Sequence, residues 1–256
     1  NNNKKPPARA GDDVDRALET AILSDNFKEA QRCCKLGANV NMGMRTFDQW
    51  TDGGFKLLAY ACARGRVDLV RLLVEHGADV KHADQAGASA LHLACAQGHV
   101  AIASLLLDRG ADVKQTSNEG ASPLFIASQM GHVHVVRRLL EKGAAINQTR
   151  RAGTSPLYIA CQNNKVAVVR FLLAHGADVN LANNEGRTAL YISFAAERVE
   201  AAKLLLDFGA DVDYAANDGR TLLSVACSHD YTYVAHNLLE AGADVDRSDR
   251  NGATPL

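Results

Sequence analysis

The chain has 256 residues, of which 47% are hydrophobic and 22% are charged, as in a folded protein with a sizeable core. Its formal net charge of −1 gives no broad attraction to nucleic acid or to an anionic membrane. No apolar run approaches the roughly 20 residues that span a bilayer. We therefore expect neither nucleic-acid binding nor membrane insertion.

Residues 1–10 are polar, contain two prolines and carry no signal-peptide pattern. We interpret them as a flexible tail or a cloning remnant. The six cysteines lie in a long chain without a secretory signal, which favours a reducing, intracellular setting over a disulfide framework. We therefore predict a cytoplasmic protein, with the nucleus as the alternative compartment.

A 33-residue period organises the rest of the chain, and two series of glycines share it. The first series opens a short apolar segment and consists of Gly54, Gly87, Gly120, Gly153, Gly186, Gly219 and Gly252. The second series is always followed by Ala and consists of Gly77, Gly110, Gly143, Gly176, Gly209 and Gly242. Such a period predicts stacked units, because one unit cannot bury its apolar face alone.

Two helices are predicted in each unit. The first follows the glycine of the first series, as in ASPLFIA (121–127). There a Ser or Thr can cap the helix start, and Pro123 or Pro156 suits the first helical position. The second helix, as in residues 99–109, has apolar residues at helical spacing. An extended hairpin with a tight turn, as in residues 111–121, leads to the next unit.

The turn between the two helices needs a residue that tolerates the left-handed conformation. Three units place glycine there, namely Gly65, Gly98 and Gly131. Later units carry Asn164, Glu197 and Asp230 instead. Because Glu takes the left-handed conformation poorly, we expect a reshaped turn in the last two units. Tyr231 and Tyr233 follow this turn, either as a contact surface or as packing for a further unit.

Several segments resemble ankyrin repeats over about residues 11–256: TSPLYIA (154–160), Gly-His at 98–99 and GADVN at 176–180. The resemblance implies an all-α, right-stacked solenoid of about seven helix-turn-helix repeats, with β-hairpin loops and a concave groove. It also implies a protein–protein interaction module. The repeats fall at about 11–43, 51–83, 84–116, 117–149, 150–182, 183–215 and 216–248, with a truncated eighth at 249–256.

The two ends of the repeat array differ. The first repeat lacks the Thr-Pro-Leu pattern but keeps Leu18 and Ala21, and its charged residues fit a polar capping repeat. The eighth repeat begins at Asp249 and stops where its first helix would start. We therefore expect the natural protein to continue beyond Leu256.

Seven extra residues, about 44–50, fall in the loop between the first two repeats. This insertion carries Phe47 and Trp50, and Phe55 follows it closely. Insertions in solenoids map to loops, often on the binding face, and aromatic residues are common interface anchors. The alternative is that Trp50 folds back and covers the first repeat.

The cysteines and histidines follow the repeat. Four cysteines lie eight residues after a first-series glycine: Cys62, Cys95, Cys161 and Cys227. At this position a cysteine acts as a small buried residue, and copies one repeat apart are too distant for a disulfide. Of the adjacent Cys33 and Cys34, we expect one buried and one partly exposed. The resemblance implies that His92, His99 and His132 hold turns by hydrogen bonds.

No nucleotide-binding loop, metalloprotease motif or serine-hydrolase motif is found in the sequence. The cysteine spacing also does not match a zinc site. We therefore predict no enzymatic activity, no cofactor, no metal and no small-molecule substrate.

The binding residues are predicted at positions that vary while the frame of the repeat stays constant. With the aromatic residues of the insertion, this partner-binding set is Phe47, Trp50, Phe55, Arg64, Gln85, Gln97, Asn118, Glu119, Gln129, Met130, Arg150, Arg151, Gln162, Asn163, Asn184, Glu185, Arg187, Asn217, Asp218, Arg220 and His229. Four of its arginines form a modest basic stripe, namely Arg150, Arg151, Arg187 and Arg220. This stripe suits an acidic partner segment because Arg pairs well with carboxylates. We expect an extended segment of a partner protein in the groove.

Two further interpretations remain open. The chain could be the targeting part of a larger protein, such as a ubiquitin ligase adaptor, a kinase or a transferase, whose active part follows residue 256. The resemblance also implies a possible substrate of asparaginyl hydroxylation. Asn180 matches the hydroxylated position, and Asn41 and Asn147 match it less well.

Overall fold

The computed structural model describes residues 11–44 and 56–255, and it folds as two compact units, residues Asn1–Asn118 and Glu119–Leu256. The described residues form fourteen α-helices. In the first unit these are α1 (Asp12–Leu23), α2 (Phe27–Lys35), α3 (Leu57–Ala63), α4 (Val67–Glu75), α5 (Ala90–Ala96) and α6 (Val100–Asp108). In the second unit they are α7 (Pro123–Met130), α8 (Val133–Glu141), α9 (Pro156–Gln162), α10 (Val166–Ala174), α11 (Ala189–Ala195), α12 (Val199–Asp207), α13 (Leu222–Ser228) and α14 (Thr232–Glu240).

The first helix of each repeat in the second unit begins as the sequence predicts. The Ser122 side chain accepts a hydrogen bond from the backbone N–H of Phe125 (3.1 Å), and Pro123 occupies the first turn of α7. Ser155 and Thr188 cap α9 and α11 in the same way. These side chains satisfy backbone N–H groups that have no partner within the helix.

In α5 the cap is reciprocal. The Nδ1 atom of His92 lies 2.9 Å from the Ser89 hydroxyl and accepts a hydrogen bond from the Ser89 backbone N–H (3.2 Å). The prediction that His92 holds a turn by hydrogen bonding is therefore confirmed. The two residues form a capping box in which each side chain binds the backbone of the other.

The turn between the two helices keeps one backbone conformation along the chain. Gly65, Gly98 and Gly131 have φ angles of 72–90°. The non-glycine residues of this turn adopt φ angles of 54–57° and are Asp25, Asn164, Glu197 and Asp230. The expected reshaping in the last two repeats is therefore wrong. The left-handed conformation costs an L-residue about 1–2 kcal/mol, which the surrounding helix pair must offset.

The core lies between helices of successive repeats. In the first unit α3 packs on α5 and α4 packs on α6; in the second unit α9 packs on both α7 and α11, and α10 on both α8 and α12. Leu91, Ile102 and Leu106 are fully buried, as are Leu157 and Leu172 in the second unit. The helical spacing of these residues places them on the faces that meet the neighbouring repeats.

The cysteines belong to this core. Cys62, Cys95 and Cys161 are fully buried, as predicted, whereas Cys227 is half-buried. Cys33 and Cys34 are both buried, so the expectation that one of them is partly exposed is wrong. Because α2 lies between α1 and α4, both of its flanks are covered.

The loops between repeats are tighter than the predicted β-hairpins. Only two isolated β-bridges, Gly43–Lys56 and Ala83–Ser89, occur in residues 11–44 and 56–255. The tip is a turn closed by a pair of backbone hydrogen bonds, as at residues 183–187 (both 2.9 Å). The Asp of each GAD segment turns the chain before a strand can extend, since Asp178 Oδ1 accepts from the Asn180 N–H (3.0 Å).

Candidate functional site

Three predicted binding residues, Asn118, Asn184 and Asn217, link neighbouring loops. Their side-chain amides donate to the carbonyl oxygens of Gln85 (2.6 Å), Arg151 (2.8 Å) and Asn184 (2.7 Å), respectively. Their backbone N–H groups also donate to the preceding loop, at 2.8–3.2 Å. Repeat spacing alone does not predict this structural role of the three asparagines.

A second row of contacts links the GAD segments of successive repeats. Asn180 Oδ1 accepts a hydrogen bond from the Asp211 backbone N–H (2.8 Å), and Asn147 Oδ1 accepts from that of Asp178 (3.0 Å). Asn41 makes the equivalent contact in the first unit. The three asparagines considered for hydroxylation therefore share one structural position, in which the side-chain oxygen is already engaged.

Two of the four arginines of the predicted basic stripe form ion pairs within their own loops. Arg187 forms an ion pair with Glu185 (2.7 Å), and Arg220 forms one with Asp218 (2.9 Å). The pKa of Asp218 is lowered mainly by the hydrogen bond from the backbone N–H of Arg220. The hydrogen bond from the Arg220 side chain lowers it further. The hydrogen bond to Asp218 raises the pKa of Arg220 in turn. Among the described residues, half of the positive charge of this stripe is therefore compensated, because Arg187 and Arg220 are paired whereas Arg150 donates to the neutral Thr154 hydroxyl (2.9 Å).

Aromatic rings lie beside these arginines. Phe125, Tyr158 and Tyr191 occupy, at successive 33-residue steps, the register position of His92. The guanidinium of Arg150 lies 5.4 Å from the ring centroid of Phe125, and Arg187 lies 5.1 Å from that of Tyr191. These are cation–π distances. Burial raises the pKa of Tyr158, and Arg187 partly opposes this rise.

A cavity of about 330 Å³ opens between two neighbouring loops of the second unit. It is lined by Asn184, Glu185, Arg187, Tyr191, Ala216, Asn217, Asp218, Arg220 and Val225. Six of these nine residues belong to the predicted partner-binding set. Tyr191 does not belong to the predicted set, although it is an aromatic residue at the repeat position that His92 occupies in an earlier repeat. We call the surface formed by loop residues 150–153, 183–187 and 216–220, together with Tyr191, the loop face.

Comparison with known proteins identifies the family. The family model for ankyrin repeats matches three times, at residues 18–117, 111–183 and 176–249. The chain belongs to the ankyrin repeat family. Ankyrin repeats are generally protein–protein interaction modules, and their fold is typically non-catalytic.

Among solved structures, this ankyrin repeat chain is similar to the crystal structure of the human ASB11 ankyrin repeat domain. The two are 33% identical and superpose with a TM-score of 0.69, over 77% of this chain and 89% of that one. A search of curated proteins found no match. Among the residues that the structure describes, no helix is long and apolar enough to cross a membrane.

The remaining predicted residues of the ankyrin repeats are spread over both units. In the second unit, Glu119, Met130, Gln162 and His229 are exposed, and the Asn163 side chain donates to the carbonyl of the half-buried Gln129 (3.2 Å). In the first unit Arg64, Gln85 and Gln97 are exposed. Phe47, Trp50 and Phe55 lie outside the described residues.

The core cysteines should not react with thiol-alkylating reagents in the native protein. Burial raises the pKa of Cys161 to about 12 and raises those of Cys62 and Cys95 as well, so the reactive thiolate is suppressed at neutral pH. We expect iodoacetamide at pH 8 to leave these three thiols unmodified and to label the half-buried Cys227 faster. Peptide mass spectrometry measures this, with a urea-unfolded sample as control. Prompt labelling of native Cys161 would contradict the assignment to the core.

Proposed function

We propose that the loop face of the second unit binds an extended segment of a partner protein. The observation that supports this is the cavity between the loops at 183–187 and 216–220, where six of the predicted binding residues converge. The frame residues around the cavity are fixed by contacts between repeats, so the exposed side chains can vary without disturbing the fold.

The chemistry of the cavity favours a largely polar segment with an aromatic or planar contact. Glu185 and Asp218 already neutralise Arg187 and Arg220. The ring of Tyr191 forms part of the wall, and aromatic rings give large contact areas at low entropic cost. Peptide amides and planar polar side chains suit this surface, because they hydrogen-bond without requiring net charge.

Arg151 supplies an exposed positive charge on the loop face, whereas the other unpaired arginine of this face, Arg150, is half-buried. The Arg151 side chain is exposed, and no ion pair of Arg151 occurs within residues 11–44 and 56–255. Its carbonyl oxygen is held by Asn184 (2.8 Å), which fixes the backbone from which the side chain extends. We propose that a carboxylate of the partner segment pairs with Arg151.

Charge reversal at Arg151 tests this proposal. Peptides are first selected on the immobilised chain from a displayed library of random peptides, and their affinities are then measured by calorimetry. We expect Arg151→Glu to weaken binding by about tenfold to a hundredfold, the loss typical of a central interface contact. Arg170→Glu is the matched control, because Arg170 is an exposed arginine on α10.

Tyr191→Ala tests the contribution of the cavity wall to binding, independently of the charge of Arg151. We expect the same peptides to bind this variant about tenfold more weakly, because the aromatic wall is removed. Peptides that bind both variants as tightly as the unmodified chain would show that the loop face is not the binding surface.

A further inference from the structure

Five of the seven second helices in the described residues begin directly after a basic residue, whereas α2 begins after Asn26. The residue that precedes the helix, directly after the left-handed turn, is basic in five consecutive repeats: Arg66, His99, His132, Lys165 and Arg198. In the last repeat this position is Tyr231. The first helix of each repeat starts at the loops and ends at this turn, so the position lies at the other end of the first helix from the loop face.

The basic side chains reach back to the turn of the preceding repeat. A Cβ atom added to Gly131 would lie 2.8 Å from Cδ of Lys165, so the lysine stem packs directly on that turn. In the next repeat, Nε of Arg198 donates to the carbonyl of Gln162 (3.4 Å), beside the left-handed Asn164. A basic group therefore covers each of these turns.

The first two repeats show what this arrangement does for an acidic turn residue. Asp25 adopts a left-handed φ of 57°, and its carboxylate forms an ion pair with Arg66 of the next repeat (2.6 Å). Both side chains are less than half exposed. The acidic residue of one turn is thus paired with the basic residue that begins the next second helix.

Glu197 occupies the same turn position as Asp25, but the next repeat has no basic residue at the position of Arg66. It has the same φ of 57° as Asp25, but the following repeat offers Tyr231 where Arg66 stands. The ring of Tyr231 stacks on His229 in its own repeat, with centroids 5.6 Å apart and planes at 17°. Within the described part of the chain, neither Glu197 nor Asp230 forms an ion pair.

A cavity of about 590 Å³ lies at this place, between the turns of the last two repeats. Its lining is apolar at Phe194, Ala195, Val199 and Val234 and acidic at Glu197 and Asp230, with Arg198, Tyr231, Thr232 and Tyr233 completing it. Tyr231 is 50% exposed and Tyr233 is 57% exposed. Two carboxylates and one guanidinium thus lie beside apolar and aromatic walls that are open to solvent, and Nε of the guanidinium donates to the carbonyl of Gln162.

We propose that this cavity, which we call the turn cleft, binds a Lys or Arg side chain of a partner protein, on a segment with an apolar residue next to it. The charge complements Glu197 and Asp230, and the same contact already occurs within the chain between Arg66 and Asp25. The apolar neighbour covers Phe194 and Val199, and the exposed tyrosines close over the stem of the basic side chain.

The first test supplies the basic group from the chain itself. In the Tyr231→Lys variant the lysine can reach Glu197 as Arg66 reaches Asp25, whereas Tyr231→Met has similar length and no charge. We expect Tyr231→Lys to unfold about 1–3 °C above Tyr231→Met at low salt, and the difference to vanish at 1 M NaCl. Equal melting temperatures at low salt would overturn the proposal, because the turn cleft would then show no preference for a cation.

The second test uses synthetic peptides as the probe. Two fluorescein-labelled mixtures are compared by fluorescence polarisation, one with Arg and one with Gln between two variable apolar residues. We expect the Arg mixture to bind about tenfold more tightly, and this advantage to be lost in the Glu197→Gln, Asp230→Asn double variant and in Tyr231→Lys. Tyr214→Ala, which removes an exposed tyrosine elsewhere, should leave it unchanged.

Two results would contradict the assignment to a partner protein. The first is equal binding of the Arg and Gln mixtures. The second is a difference in sedimentation coefficient between the unmodified chain and the Glu197→Gln variant. Such a difference would mean that a second copy of the chain supplies the basic group. Both results are independent of the loop face, since Arg151 and Tyr191 do not line the turn cleft.

Discussion

We expect Gly153→Ala to destabilise the protein by several kcal/mol. Gly153 has a φ angle of 74°, and a Cβ atom added there would lie 2.6 Å from the backbone nitrogen of Asn184 and would also collide with the Asn184 side chain. The left-handed conformation costs an alanine about 1–2 kcal/mol, and overpacking against a fixed backbone adds about 1–3 kcal/mol. Urea unfolding followed by far-ultraviolet circular dichroism measures the loss.

Gly176→Ala is the matched control for this prediction. Gly176 has a φ angle of 84°, yet an added Cβ atom meets nothing within 4 Å. This variant should therefore lose only the conformational contribution of about 1–2 kcal/mol. If both variants lose the same free energy of unfolding, the close approach of neighbouring loops is not a source of stability.

Phe125→Ala should lower the free energy of unfolding by about 3–5 kcal/mol. Phe125 is 2% exposed and packs with Ala121 and Ile159 in the second unit. Truncation leaves a cavity in this cluster and also removes the ring beneath the guanidinium of Arg150 (5.4 Å). Thermal and urea unfolding of the purified variant measure the loss.

Phe208→Ala tests whether that loss is due to burial. Phe208 is 45% exposed at the end of α12, so its truncation should change the unfolding free energy by less than about 1 kcal/mol. Comparable losses for Phe125→Ala and Phe208→Ala would contradict the packing described for the second unit.

The helices and their ends could be predicted from the sequence because their causes are local. Ser122 and Pro123 specify the start of α7 within a few residues, and glycine at the inter-helix turn specifies the left-handed backbone. Glu197 led to a wrong expectation, because its local preference is overridden by the helices on either side. Propensity is a weak determinant where tertiary packing fixes the chain.

The candidate site was only partly predictable, since its contacts join residues far apart in sequence. The residues around the loop cavity were found because they vary in register, but the role of Asn184 depends on a carbonyl 33 residues earlier. Whether Arg187 is free or paired depends on its side-chain conformation beside Glu185, which spacing does not specify. Tyr191 was overlooked because large aromatic residues are usually assigned to the core.

The asparagine hydrogen bonds between loops have a consequence for how the number of repeats can change in evolution. Asn184 donates to the carbonyl of Arg151, and its own carbonyl accepts from Asn217, so each loop is at once a donor to one neighbour and an acceptor for the other. A gene duplication or deletion of one whole 33-residue segment would rejoin matching donors and acceptors. A gain or loss of another length between Arg151 and Asn217 would move these donors and acceptors out of register, so this part of the array favours the gain or loss of whole repeats.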